Sequence, residues 1–149
     1  MHLEDEIKQK KFRNEYQKAA VNLIFTTNWL QAKFAPLMKQ FGLTVQQFNI
    51  LRILRGQHPN PATINLLKER MLDKMSDASR LVDRLLEKGY LSRKICGIDR
   101  RRVDILITKE GLDLLEKIDV EEEKFYSGLN NLTPEETIML NKLLDKFRE

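Results

Sequence analysis

The sequence predicts a mainly α-helical chain interrupted by one small β-hairpin, and three observations carry that expectation. Apolar residues recur at helical spacing along most of the 149 residues. Between Leu91 and Ile107 the period changes to alternation, with Leu91, Arg93 and Ile95 on one strand and Val103, Ile105 and Ile107 on its return. Capping signatures at Thr44-Val45-Gln46-Gln47 and Thr133-Pro134-Glu135-Glu136 mark helix starts on either side of that change.

The first helix is predicted from Ile7 to about Met38, through Phe12, Tyr16, Ala19, Leu23, Ile24, Thr27, Leu30 and Phe34, with a bend near Pro36. Gly42 offers a stop. The Thr44 capping box opens a second helix with Phe48, Leu51, Ile53 and Leu54 inward, ending near Gln57-His58-Pro59. A short third helix runs from Pro61 or Thr63 to Met71 and buries Ile64, Leu67 and Met71. Only Leu72-Asp73-Lys74 separates it from the fourth, so the two must cross steeply. Asp73 and Ser76 are alternative caps for that fourth helix, which Lys88-Gly89-Tyr90 ends with a cation and a glycine suited to the left-handed conformation. The loop from Cys96 to Arg101, containing Gly97, closes the hairpin. Thr108 caps a fifth helix through Leu112, Leu115, Ile118 and Phe125, and the last helix is expected to bury Ile138, Met139, Leu143, Leu144 and Phe147.

Composition excludes several classes. A charged fraction of 32%, with six Gly and four Pro, argues against disorder or linker sequence. The opening MHLEDEIKQKKF lacks a signal-peptide core, and no later run approaches the ~20 apolar residues of a membrane span, so a cytoplasmic protein is expected. One cysteine, Cys96, leaves no intramolecular disulfide and no Cys-rich metal cluster; as a lone cysteine it reads as incidental, the alternative being an oxidant sensor. His2 and His58 are too far apart for a metal site, and no nucleophile triad or phosphate loop accompanies them, so neither metal, cofactor nor catalysis is expected.

Charge is unevenly spread. From Ser76 to Arg102 eight basic residues (Arg80, Arg84, Lys88, Arg93, Lys94, Arg100, Arg101, Arg102) face four acidic ones (Asp77, Asp83, Glu87, Asp99), a surplus of four. The whole chain carries +4, so the remainder sums to zero, and a polyanion would feel this segment first. On a wheel of about 100° per residue, Ala78, Leu81, Val82, Leu85 and Leu86 of the fourth helix face a core. Ser76, Arg80, Asp83 and Glu87 lie opposite, flanked by Ser79 and Arg84. A helix entering a major groove presents its amino-terminal half to base edges, which makes Ser76, Ser79 and Arg80 the expected base readers. Arg84, Arg93 and Lys94 are expected on phosphates. At the hairpin, Asp99 would brace one arginine and leave Arg100 or Arg101 extended toward a minor groove. The competing reading is a solvated charged face, which Asp83 and Glu87 favour because their carboxylates repel phosphates. A short helix before, a glycine stop after and a basic hairpin next weigh against it. This order is that of a winged helix-turn-helix with amino- and carboxy-terminal dimerisation helices.

SDASRLVDRLLEKGYLSR followed by DRRRVDILITKEG resembles the MarR family of winged-helix transcription regulators, with Asp99, Arg101, Thr108 and Gly111 where that family places them. The resemblance covers most of the chain. It implies a homodimer joined by the first and last helices, binding a pseudo-palindromic DNA operator as a repressor released by a small, often aromatic or phenolic, ligand. Oxidation-sensing members use a cysteine near the amino terminus, where this chain has none. The organisation expected is one domain over 1–149, with about 44–108 as the DNA-binding lobe and about 1–40 and 109–149 as dimerising helices. A dimer is expected on physical grounds too, because the apolar faces of the first, fifth and sixth helices exceed what one small core covers. The segment after Lys109, with Glu121-Glu122-Glu123, should face away from DNA. Phe12, Tyr16, Trp29 and Phe34 fit a core or dimer face, the alternative being a ligand pocket. The alternative function is a winged-helix protein-interaction or small-molecule-binding dimer without specific DNA recognition.

Overall fold

The computed structural model describes residues 2–95 and 103–149, and divides into two units, Met1–Phe48 and Asn49–Glu149. Along the chain run α1 (Leu3–Glu6), α2 (Glu15–Gln40), α3 (Val45–Gln57), α4 (Ile64–Arg70), α5 (Ala78–Glu87), β1 (Leu91–Ile95), β2 (Val103–Ile107), α6 (Lys109–Ser127) and α7 (Pro134–Phe147).

In the first unit the long helix starts at Glu15, eight residues later than its apolar spacing suggests. The reason is a local cap: the Asn14 side chain accepts from the Gln17 amide at 2.9 Å, while Gln17 Oε1 accepts from the Arg13 amide at 2.7 Å. Before it, Lys8 takes a positive φ of 53° and breaks the helical path. Pro36 lies inside α2, which continues to Gln40. Gly42, at φ +70°, turns the chain, and the Thr44 capping box forms as the sequence predicts, with Gln47 N to Thr44 Oγ1 at 3.1 Å and Thr44 N to Gln47 Oε1 at 3.0 Å. Met38, Leu43 and Phe48 are buried, and the Phe48 ring lies 5.7 Å from that of Phe34.

In the second unit α3 contributes Ile50, Leu51, Ile53 and Leu54 to the core, joined by Leu67, Met71, Ala78, Val82, Leu85, Ile105, Leu115 and Ile118. Each large aliphatic side chain so enclosed stabilises the fold by roughly 1.5–3 kcal/mol. Thr63 is the cap of α4, accepting from the Leu66 amide at 3.2 Å, and Ile64 is only half-buried. The strands pair antiparallel, with Leu91 opposite Ile107, Arg93 opposite Ile105 and Ile95 opposite Val103. A contact that periodicity does not reveal lies on the other edge of β2: Ala62 and Ile105 exchange backbone hydrogen bonds at 2.9 and 2.8 Å. Thr108 caps α6, accepting from the Gly111 amide at 3.1 Å, and the Thr133 capping box opens α7.

One expectation about α7 is overturned for the single chain. Ile138, Met139, Leu143 and Phe147 are exposed and Leu144 is half-buried, so among the described residues of its own unit the apolar face of this helix stays largely uncovered.

Candidate nucleic-acid interface

The site is built on α4, α5 and the two strands. The turn that joins α4 to α5 is fixed by hydrogen bonds from its backbone amides. The Leu72 amide donates to Asn49 Oδ1 at 2.9 Å, the Met75 amide to Asp73 Oδ1 at 2.9 Å, and the Ser76 amide to the Asp73 carbonyl at 3.2 Å.

Neither expected cap is the cap of α5. Asp77 fills that role, accepting from the Arg80 amide at 3.1 Å. Asp73 is already committed to the preceding turn, and Asp77 stands three residues before Arg80, the separation at which a short carboxylate reaches an orphan amide. At the other end Gly89, at φ +79°, closes the helix: its amide donates to the Leu86 carbonyl at 3.0 Å and the Tyr90 amide to that of Leu85 at 3.1 Å. This pair of reversed bonds satisfies the last carbonyls and aims the chain into β1.

Ala78, Val82 and Leu85 hold α5 against the core, with Leu81 and Leu86 half-buried, so the inward face follows the wheel. Ser79, Arg80, Asp83, Arg84 and Glu87 are exposed. Ser76 sits differently: its Oγ is buried and meets no hydrogen-bond partner among the described residues. Arg80 and Lys94 form no ion pair among the described residues and project into solvent.

The two carboxylates that would repel phosphate are both answered by arginines. Arg93 Nη2 lies 2.7 Å from Asp83 Oδ1, and Arg84 Nη1 lies 3.3 Å from Glu87 Oε2. Strand β1 therefore presents Arg93 to α5, while Lys94, next along the alternation, belongs to the opposite face. Asp99, Arg100, Arg101 and Cys96 lie outside the described residues.

Gly111 explains why α6 can start so close to the strands. A Cβ there would stand 2.5 Å from the Tyr90 carbonyl oxygen and 2.8 Å from Ile107 Cγ1. Thr108 locks the same corner, its hydroxyl donating to the Gly89 carbonyl at 2.8 Å and its amide to that of Tyr90 at 3.0 Å. Further along α6, the Asp119 carboxylate accepts from Nη1 and Nη2 of Arg55 at 2.7 and 3.0 Å, and Glu122 lies 3.7 Å from Arg52. Of the aromatic residues expected on the first helix, Tyr16 and Trp29 of α2 are exposed, the latter with Lys33 Nζ 4.3 Å from its ring centre, Phe34 of α2 is half-buried, and Phe12, also half-buried, lies ahead of the helix start. Among the described residues no helix is long and apolar enough to cross a membrane, and no group of three or more His, Cys, Asp or Glu is placed to hold a metal ion.

Comparison with known proteins agrees with this geometry. The model of the MarR family matches residues 41–102, which include α3, α4, α5 and β1. An uncharacterised HTH-type transcriptional regulator of Bacillus cereus is 31% identical over 131 residues, covering 87% of this chain and 86% of that protein. Among solved structures, the MepR–DNA complex of S. aureus superposes with a TM-score of 0.77 at 22% identity, over 91% of this chain and 96% of that one. BpsR of Bordetella bronchiseptica, whose DNA binding is regulated by 6-hydroxynicotinic acid, gives 0.79 at 21% identity, over 94% and 99%.

Proposed function

The chain belongs to the MarR family of transcriptional regulators, and from that premise we propose that it acts in the cytoplasm as a homodimeric, sequence-specific repressor, released from a pseudo-palindromic operator by a small aromatic ligand. The observation that carries the reading is the outer face of α5. Ser79 and Arg80 stand exposed in its amino-terminal half, where base edges are read, and the outward carboxylates Asp83 and Glu87 are both neutralised within the protein. Arg84 and Lys94 supply phosphate contacts, and at the hairpin Asp99 braces one arginine and leaves Arg100 or Arg101 to reach a minor groove; Ser76, assigned with them to the DNA-binding set, keeps its hydroxyl concealed in the free chain. Arg93 is given a second role here, holding β1 to α5 through Asp83.

Dimerisation is supported by apolar side chains left in solvent on α2 (Tyr16, Ile24, Trp29, Leu30) and on α7 (Ile138, Met139, Leu143, Phe147). Two-fold symmetry would set the two α5 helices roughly 34 to 36 Å apart, one turn of duplex. DNA binding in MepR and ligand control in BpsR support the regulatory cycle.

The test is selection of duplexes from a random pool by the purified chain, followed by binding across a salt series. A palindromic consensus is expected, with affinity falling roughly one power of salt per phosphate neutralised. Arg80→Ala should lose about 1 to 3 kcal/mol on the consensus and relax its sequence preference. Affinity indifferent to salt, or equal binding by wild type and Arg80→Ala, would refute the assignment.

A further inference from the structure

The turn before α5 leaves two large apolar side chains in water, and the one nearer the helix is the more informative. Met75 is 92% exposed and stands two residues ahead of the Asp77 cap, so its Cα lies within about 7.6 Å of that of the cap. Its backbone is not free to fold the side chain away. The Met75 amide is held by Asp73 Oδ1, the next amide by the Asp73 carbonyl, and Met71, at the head of the turn, is buried. The charges beside it are turned to other work: Lys74 Nζ donates back to the Glu69 carbonyl and the Asp73 carboxylate accepts from the backbone. What the turn offers outward, immediately before the base-reading half of α5, is a thioether on an unbranched stem.

We infer that Met75 reads the C5 methyl of a thymine in the major groove, adding an apolar contact to the polar ones of Ser79 and Arg80. This rests on the reading of α5 as the DNA-facing helix. Among the groups that base pairs display in that groove, the thymine methyl is the apolar one, so it is the partner an exposed thioether gains most by covering. The flexible, polarisable side chain adapts to it without a fixed rotamer.

The experiment replaces each thymine of the selected duplex in turn by deoxyuridine, which differs only in lacking that methyl, and measures binding of wild type, Met75→Ala and Leu72→Ala. Leu72, 82% exposed but five residues ahead of the cap, controls for general loss of apolar surface. At one thymine per half-site wild type and Leu72→Ala should each weaken by roughly four-fold on loss of the methyl, the worth of one buried methyl-sized group. Met75→Ala should bind the two duplexes alike there. An unchanged thymine preference in Met75→Ala, or no position at which wild type senses the methyl, overturns the assignment while tight operator binding keeps the DNA reading intact. Failure of wild type to bind any selected duplex overturns both. Thermal melting of Met75→Ala should match wild type, since the side chain touches no core.

Discussion

Arg93 on β1 and Asp83 on α5 meet at 2.7 Å, so the hairpin and the helix that would share one duplex are tied to each other by charge. Both side chains are about half exposed, and such a pair adds at most about 1 kcal/mol to stability. Its larger effect is on the field facing a polyanion, because it cancels a carboxylate on the outer face of α5. Asp83→Asn should therefore bind all duplexes more tightly, with a salt dependence steeper by about one power, as Arg93 becomes available to a phosphate. Lys94→Ala should make it shallower by about one. Fluorescence anisotropy over a range of salt gives both slopes, and parallel lines for the three proteins would remove these residues from the interface.

Two glycines should respond in opposite senses to alanine. At Gly111 the new methyl group meets the Tyr90 carbonyl and Ile107, and such overlap typically costs about 1 to 3 kcal/mol. At Gly56, inside α3, the nearest atom is the end of the Arg70 side chain at 4.0 Å, so alanine should stabilise by roughly 0.5–1 kcal/mol through helix propensity. Melting temperatures should move down for Gly111→Ala and up for Gly56→Ala. Equal shifts in one direction would mean that the corner at Gly111 is looser than its distances indicate.

On α7, Ile138→Asp and Leu143→Asp place a charge where the proposed partner copy packs. Both should leave the single-chain fold intact and weaken self-association, read by sedimentation at micromolar concentration. Operator affinity should fall with it as the half-sites uncouple. A wild-type chain that sediments as a monomer at these concentrations contradicts the dimer.

Burial pushes the Tyr126 hydroxyl above the usual tyrosine range, and the nearby Glu122 carboxylate adds to the rise. The folded protein thus favours the neutral phenol. Its contribution is complete below the unfolded value of about 10 and is lost as pH rises through the higher folded value. Tyr126→Phe should flatten the alkaline decline of the melting temperature and delete a step of the phenolate absorbance titration lying above the ordinary range. Retention of that step would assign it to another tyrosine.

The fold was legible where a local signal and a periodic one coincide. Thr44, Thr108 and Thr133 cap the helices expected of them, and the alternation from Leu91 to Ile107 gives both strands with their ends. Reading failed where a nearer group outcompeted a plausible one: Asn14 starts α2 despite apolar spacing reaching back to Ile7, and Asp77 caps α5 because Asp73 is engaged by Met75. Long-range pairs such as Arg55–Asp119, Arg93–Asp83 and Ala62–Ile105 leave no mark in spacing, since their partners are set by packing. The solvent-facing side of α7 shows the converse, a periodic stripe that marks an apolar face without saying whose surface covers it. In the candidate site the exposed positions of Ser79, Arg80 and Arg84 followed from the wheel, whereas the concealed Ser76 hydroxyl depends on how the turn is folded.

The bridge between Ala62 and Ile105 has a consequence for how copies of this chain coexist in a crowded solution. By engaging the outer rim of β2 at mid-strand, it denies that rim to a neighbouring molecule seeking to extend the ribbon. The opposite rim, β1, carries Lys94 beside its centre with no ion pair among the described residues, so two such rims brought together would repel. A two-stranded ribbon is thereby kept from templating stacked sheets, and its edges present little hazard of self-aggregation.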